Sequence, residues 1–177
     1  TFTGATTQAS TAGQVGTKTF NKGVTTITYV VTDAVGNTAT NTTTVTVNDT
    51  ELPTITPPAA ITRSNDAGLC TASIAVPNAT FADNCVGSSI AYTLSGATTQ
   101  ASTAGQVGTK TFNKGVTTIT YTVTDASGNT QTSLTTVTVN DTELPTITPS
   151  AAITRSNDAG LCTASIAVPN ATFGDNC

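Results

Sequence analysis

Apolar and polar residues alternate along several short stretches of this chain. Between residues 48 and 139 the alternation is clearest at 70–76, 90–94, 116–123 and 134–139. A period of two residues, with Thr, Val and Ile prominent, predicts half-buried β-strands. Shorter stretches at 61–64, 79–81 and 109–112 predict further strands. No segment has the period of an amphipathic helix, so we expect an all-β fold.

Turn-forming residues separate these stretches. The breaks are rich in Asn, Asp and Gly, as in Asn65-Asp66-Ala67-Gly68 and Asp125-Ala126-Ser127-Gly128-Asn129. Asn and Asp side chains hydrogen-bond to the neighbouring backbone, and Gly permits left-handed backbone conformations. About seven short strands, each with one apolar and one Thr-rich face, predict an Ig-like antiparallel β-sandwich of two sheets.

The chain repeats itself with a period of 92 residues. The segment that begins at Gly4 begins again at Gly96, and residues 1–85 align with residues 93–177 with nine differences. We therefore predict a complete repeat at 48–139, the C-terminal half of a preceding repeat at 1–47, and the N-terminal half of a following repeat at 140–177. Tandem copies this similar suit a part whose value is length, because two active sites are rarely copied so closely.

Charge and composition exclude several functions. The net charge is −4 with only six Lys and Arg residues, whereas nucleic-acid binding needs a basic face. No run of about 18 apolar residues is present, so we expect no membrane span in this segment. The chain has no His to act as a general base, and no motif places another, so we expect no enzymatic activity.

Four cysteines recur at the repeat spacing. Cys70 and Cys85 lie 15 residues apart in the complete repeat, and Cys162 and Cys177 occupy the same offsets in the next. Two cysteines per repeat favour one disulfide per repeat, and disulfides indicate an oxidising, extracellular setting. The alternative is a metal site, but two Cys and no His provide too few ligands for zinc.

Acidic residues are scarce, yet they recur at turns and at the joints between repeats. Asn48-Asp49-Thr50-Glu51-Leu52-Pro53 resembles the acidic linker between cadherin domains. Calcium prefers six to eight oxygen ligands, which carboxylates and carbonyls at such a joint would provide. The predicted calcium ligands are Asp49, Glu51, Asp125, Asp141 and Glu143. The alternative is that these residues only form turns.

Three segments of the complete repeat carry a family resemblance. They are Asp-Thr-Glu-Leu-Pro-Thr-Ile at 49–55, Gly-Leu-Cys-Thr-Ala at 68–72 with Asp-Asn-Cys at 83–85, and the segment from Gly115 to Asn129. Together they resemble the hyalin repeat, or HYR domain. The family often has a second cysteine pair, and here those places hold Thr56-Pro57 and Ser133-Leu134.

The resemblance implies an Ig-like sandwich in an extracellular adhesive protein. Long arrays of such repeats resemble giant bacterial surface adhesins, including those of gliding motility in the Bacteroidota. We expect a structural spacer at the cell surface, with neighbouring repeats as partners and an adhesive ligand that the sequence does not identify. The alternatives are repeats that bind glycan or protein themselves, and a filament in which copies of a short subunit exchange strands.

Overall fold

The computed structural model describes residues 1–177 and contains fourteen β-strands and no helix. The strands are β1 (Phe2–Gly4), β2 (Gly23–Thr32), β3 (Thr38–Val47), β4 (Thr54–Thr56), β5 (Ile61–Ser64), β6 (Thr71–Val76), β7 (Thr80–Ala82), β8 (Ser89–Gly96), β9 (Gln100–Ala104), β10 (Gly108–Asn113), β11 (Gly115–Thr124), β12 (Thr130–Asn140), β13 (Thr146–Thr148) and β14 (Thr172–Gly174). The all-β prediction is confirmed. The sequence did not predict β9, because Gln-Ala-Ser-Thr-Ala has no large apolar side chain to show the alternation.

The chain forms two compact units, and the second contains a β-sandwich. This second unit comprises Ile55–Phe81, Ser89–Val123 and Thr132–Cys177. Its larger sheet has the strand order β5-β12-β11-β8-β9, and a two-stranded sheet pairs β10 antiparallel with β6. Strand β5 runs parallel to β12, with Ile61 opposite Val137.

Alternate side chains of the two sheets meet in one core. Along β11 every second residue is buried, and Ile119, Tyr121 and Val123 are fully enclosed. Ile74 and Val76 come from β6 in the smaller sheet. The other members of the cluster are Ala72, Ala79, Tyr92, Leu94, Val107, Phe112, Val137 and Val139. Two sheets that share one apolar core define a sandwich, as the alternation predicted.

A glycine ends β8 where the backbone of a neighbouring strand comes close. Gly96 has a φ angle of +96°, and a Cβ atom there would lie 2.4 Å from the carbonyl oxygen of Val116. No other residue fits without moving the backbone, because this oxygen cannot rotate away as a side chain can. Gly4 meets Val24 at the same 2.4 Å in the preceding repeat.

The first compact unit has a smaller interior. It comprises Thr1–Thr54, Ala82–Ser88 and Thr124–Gln131, and its sheet has the order β1-β2-β3. Phe2, Thr25 and Ile27 are buried, but Tyr29 and Val31 on the same face remain 41% and 66% exposed. The equivalent residues of β11 are fully buried, so this sheet lacks the layer that covers β11.

Identical segments adopt different structures in different repeats. Ile-Thr-Arg-Ser forms β5 at 61–64 but no strand at 153–156, and Thr-Ala-Ser-Ile-Ala-Val forms β6 at 71–76 but no strand at 163–168. Residues 16–21 likewise form no strand, although the same sequence forms β10. A strand needs a hydrogen-bonded neighbour and a covered face to be stable. The compact units do not follow the repeats, and our division of the chain at 47 and 139 stays a prediction.

Candidate functional site

A disulfide joins Cys70 to Cys177 in the second unit. The two residues are 107 positions apart in the chain, and their Cα atoms lie 5.1 Å from each other. Cys70 follows a turn in the complete repeat, whereas Cys177 belongs to the following repeat. The bond therefore links two successive repeats.

We predicted a disulfide within each repeat, and the structure corrects that pairing. Cys70 and Cys85 belong to different compact units, and Cys85 and Cys162 are free thiols. The repeat of 92 residues places Cys177 at the same offset as Cys85, so both are candidates for Cys70 by sequence alone. Proximity in the folded unit, and not the short spacing of 15 residues, selects the partner.

The turn that carries Cys70 is held by side chains of the following repeat. We call residues 65–70 the cysteine turn. Glu143 accepts hydrogen bonds from the Gly68 N–H, with both carboxylate oxygens 2.9 Å from the nitrogen. Asn176 Nδ2 donates to the Leu69 carbonyl oxygen over 2.9 Å. Together with the disulfide, these bonds fix the turn on a seat made of Glu143, Asn176 and Cys177.

The turn also organises itself. Asn65 Nδ2 donates to the Leu69 carbonyl oxygen over 2.8 Å, and the Leu69 N–H donates to the Asp66 carbonyl oxygen over 2.9 Å. Asn65 also accepts a hydrogen bond from the Thr142 N–H over 3.1 Å. Bonds inside the turn reduce the entropy that docking onto the seat has to remove.

In the first unit Asp49 is the centre of a second cluster. Its side chain is only 2% exposed and accepts hydrogen bonds from Lys22 Nζ at 3.4 Å and Ser127 Oγ at 3.2 Å. The Cys85 thiol also donates to this carboxylate. Asp83 lies beside them, since ligand atoms of Asp49, Asp83 and Cys85 are all within 4.8 Å of one another.

This cluster changes the acidity of two of its members. Burial raises the pKa of Asp49, but hydrogen bonds from Cys85 and the Glu51 N–H, then from Lys22 and Ser127, outweigh it, so the pKa is lowered. The hydrogen bond to Asp49, followed by burial, raises the pKa of the Cys85 thiol. The thiolate of Cys85 is therefore less populated near neutral pH than that of an ordinary cysteine.

Asp125 is occupied by its own turn. Its Oδ1 atom accepts hydrogen bonds from the Ser127 and Asn129 N–H groups, each over 2.8 Å, and its Oδ2 atom accepts one from Asn129 Nδ2. Burial raises the pKa of Asp125, but these donors outweigh it and the pKa is lowered. Such bonding is what a turn-forming Asp provides.

The structure distributes the five predicted calcium ligands over separate places. Asp141 accepts a hydrogen bond from Lys114 Nζ over 3.1 Å, and Glu143 is taken up by the cysteine turn. Asp49 lies with Asp83 and Cys85, while Glu51 is exposed. Calcium binding by these residues stays a prediction. A thiol beside two carboxylates is also a softer ligand set than calcium prefers.

Sequence reasoning did not assign a role to three residues at these places. Asp83 was noted only as a turn acid, and Asn84 and Asn176 were not singled out. The available signal was the recurrence of Asp-Asn-Cys at 83–85 and 175–177, which placed an amide and a carboxylate beside each cysteine. What they touch depends on residues about 100 positions away, which the pattern does not identify.

These features define an extracellular-type adhesion module built as an Ig-like β-sandwich. The HYR domain family model matches residues 48–139, which is more than half of the chain. The chain therefore belongs to the HYR domain family, whose members are extracellular, non-enzymatic modules of the adhesion type. A search of curated proteins found no match. No helix of the structure has the length and apolar character needed to cross a membrane.

Proposed function

We propose that this chain is part of an extracellular spacer, in which tandem repeats hold a binding region away from a cell surface. The observation that carries the proposal is the disulfide between Cys70 and Cys177, since it bonds one repeat covalently to the next. Glu143 and Asn176 hold the same junction with hydrogen bonds. A junction with several fixed contacts bends less than a peptide linker alone, and a stiff rod is what a spacer needs.

The near identity of the repeats also supports a spacer. Nine differences in 85 aligned positions leave no room for repeats with separate specialised surfaces. Several of the differences, such as Val35/Ser127 and Ala39/Gln131, fall on exposed positions. Membership of giant adhesins, including those of gliding motility, stays a prediction from the resemblance.

The test of this function is the length of chains with increasing numbers of repeats. Small-angle scattering under oxidising conditions should show a maximum dimension that grows by a constant increment for each 92-residue repeat. A flexible string of domains would instead grow with about the square root of repeat number, and that result would contradict a stiff spacer.

The test needs a control and a second readout. Changing both cysteines of every repeat to serine should shift the growth toward the square-root form while each sandwich stays folded. Glycan-array and cell-binding assays of the same chains should be negative. Specific binding by an isolated pair of repeats would favour the alternative, in which the repeats themselves bind a ligand.

Calcium binding is proposed separately and has its own test. If the predicted carboxylates hold calcium, addition of about 1 mM calcium, the affinity range of extracellular modules, should raise the melting temperature relative to a chelator. The control is magnesium at the same concentration. An unchanged melting temperature would leave Asp49, Asp125 and Asp141 as turn and ion-pair residues only.

A further inference from the structure

The first unit contains a second copy of the seat that holds the cysteine turn. Glu51, Asn84 and Cys85 lie 92 positions before Glu143, Asn176 and Cys177, respectively. Local bonds fix both copies in the same way. The Glu51 N–H donates to Asp49 Oδ1 over 3.3 Å, and the Glu143 N–H donates to Asp141 Oδ1 over 3.2 Å. The geometry of the seat is thus built before anything docks on it.

Nothing in this chain occupies the seat of the first unit. Glu51 and Asn84 are exposed, whereas their counterparts Glu143 and Asn176 are half-buried beneath the cysteine turn. Cys85 is a free thiol. A cavity of about 300 Å³ lies over these three residues, and it is also lined by Lys22, Val47, Asn48, Asp49 and Thr50. The cavity is where the equivalent turn would lie.

The chain also contains a second copy of the turn itself, and this copy is undocked. Residues 157–162 have the same sequence as residues 65–70. They hold the same shape, since Asn157 Nδ2 donates to the Leu161 carbonyl oxygen and the Leu161 N–H donates to the Asp158 carbonyl oxygen over 3.0 Å. Cys162 is free and exposed.

Apolar surfaces beside the free turn and the free seat also match. Ile166 and Val168 follow the free turn and are 41% and 68% exposed, although Ile74 and Val76 at the same offset are buried in the core. In the first unit Tyr29 is exposed, and a cavity of about 290 Å³ extends over Phe2, Ile27 and Tyr29. Their counterparts Leu94, Ile119 and Tyr121 pack in one cluster with Ile74 and Val76.

We propose that a second copy of this chain docks its residues 157–168 on the first unit, and that a disulfide between Cys85 and the second copy's Cys162 locks the joint. The docked turn would place Gly160 against Glu51 and Leu161 against Asn84. Residues 163–168 would then pair with residues 16–21, as β6 pairs with β10. This joint goes beyond the spacer function and does not depend on it.

The arrangement is head-to-tail and open. Each copy offers one free turn and one free seat, so a joined pair still has one of each available. Contacts between two different surfaces that do not close a ring generate a fibre. The joint would therefore extend chains into longer rods without any other protein.

The covalent step requires an oxidant, and a small-molecule disulfide such as oxidised glutathione is sufficient. The Cys85 thiol loses its proton and attacks the glutathione disulfide, which releases one glutathione thiolate. The Cys162 thiolate of the second copy then attacks the Cys85 sulfur of the mixed disulfide and releases the second glutathione. Two protein thiols are oxidised, and one glutathione disulfide is reduced to two thiols.

The test is to incubate the purified chain in a glutathione redox buffer and to map its disulfides. Cleavage before Asp residues separates all four cysteines, because Asp66, Asp83, Asp158 and Asp175 each begin a different peptide. The Cys70 peptide ends in Ala82 and the Cys162 peptide ends in Gly174, so their masses differ. We expect a Cys85–Cys162 peptide pair and a ladder of species on a non-reducing gel at steps of 17.7 kDa.

Single variants give a sharper version. Neither Cys85→Ser nor Cys162→Ser should form a covalent ladder, because each has lost one half of the joint. An equal mixture of the two should form a covalent dimer and nothing larger, since the mixture contains one usable pair of thiols. Circular dichroism of each variant shows that it is folded.

A further variant separates docking from random thiol oxidation. Glu51→Ala keeps both thiols but removes the acceptor for the Gly160 N–H, so we expect formation of the Cys85–Cys162 bond to slow by at least about tenfold. The matched control is Glu143→Ala, which changes the occupied seat and leaves Glu51 in place. Equal rates for the Glu51 variant and the unchanged chain would overturn the docking.

Three results of the mapping would also overturn the proposal. They are a monomer with Cys85 and Cys162 still free, a Cys85–Cys85 or Cys162–Cys162 dimer, and bonds within each repeat from Cys70 to Cys85 and from Cys162 to Cys177. A monomer would leave the spacer function untouched, because the length of longer arrays tests that function independently.

Discussion

At the scale of single residues, two chemical groups with the same sequence context differ because their neighbours differ. The Cys85 thiol donates to a carboxylate that is itself nearly buried, whereas Cys177 is bonded to Cys70. Reactivity at a cysteine follows the population of its thiolate. The environment of Cys85 thus makes its oxidation depend on Asp49.

Replacing Asp49 with Asn should make the Cys85 thiol more reactive. The change removes the negative charge and the strong acceptor that raise the pKa of Cys85, so its thiolate becomes more populated near pH 8. Alkylation of the monomeric chain, followed by peptide mass spectrometry, should show a several-fold faster reaction at Cys85. Cys162 in the same molecule is the control, and its rate should not change. An unchanged rate at Cys85 would contradict the role of Asp49.

The two core tyrosines should respond in opposite directions to loss of the hydroxyl. The Tyr121 hydroxyl is buried without a hydrogen-bond partner, whereas the Tyr92 hydroxyl accepts a bond from Gln100 Nε2 over 3.1 Å. Tyr121→Phe removes an unsatisfied polar group, so urea unfolding should show a gain of up to about 1 kcal/mol. Tyr92→Phe should cost about 1 kcal/mol. A loss in the Tyr121 variant would mean that its hydroxyl has a partner in solution.

At the scale of elements, the chain contains its own comparison of strand formation. The hairpin-like pair of β4 and β7 recurs as β13 and β14, so these short strands form in both copies. β6 and β10 form only where each has the other, because their stability comes from the ladder between them and from the core beneath. Local sequence is enough for the first pair and insufficient for the second.

Truncation of the same isoleucine in two repeats should therefore have unequal effects. Ile74 is 3% exposed and Ile166 is 41% exposed, although both lie in the sequence Thr-Ala-Ser-Ile-Ala-Val. In the monomeric chain Ile74→Ala should lower the free energy of unfolding by about 2–4 kcal/mol, since it leaves a cavity in the core. Ile166→Ala should change it by less than about 1 kcal/mol. Equal losses in denaturant titrations would contradict this difference in burial.

At the scale of the whole molecule, the bond between successive repeats closes the longest loop in the chain. Cross-linking residues 107 positions apart restricts the unfolded state far more than a bond across 15 positions would. For a tandem array this pairing stabilises each repeat through its neighbour. The cost is that a repeat without that neighbour keeps a free thiol.

Removal of this bond should lower the stability of the monomer measurably. Cys177→Ser opens the loop, and the chain-entropy model gives a loss of up to about 4.7 kcal/mol for a loop of roughly this length. Chemical unfolding at low protein concentration, with the free thiols blocked, measures the change. Cys162→Ser is the matched control and should leave the stability unchanged. If both variants unfold alike, the Cys70–Cys177 bond does not form in solution.

Much of this protein follows from the sequence alone. The alternation of Thr with Val, Ile and Tyr determined the strands, because side chains of a strand point alternately to the core and to solvent. The 92-residue period and the motifs around Cys70, Cys85 and Asp125 gave the repeat and the family. Asp125 illustrates how far this goes, since its role in a turn depends on the four residues that follow it.

Only the tertiary structure decided which equivalent residues pair. An exact repeat makes Cys85 and Cys177 identical by sequence, so their difference comes from which of them lies beside Cys70 in the fold. The same holds for the strands at 71–76 and 163–168, because hydrogen-bonded ladders and cores depend on partners distant along the chain. Local physics is carried by each copy of the sequence, whereas pairing is a property of the arrangement of the copies.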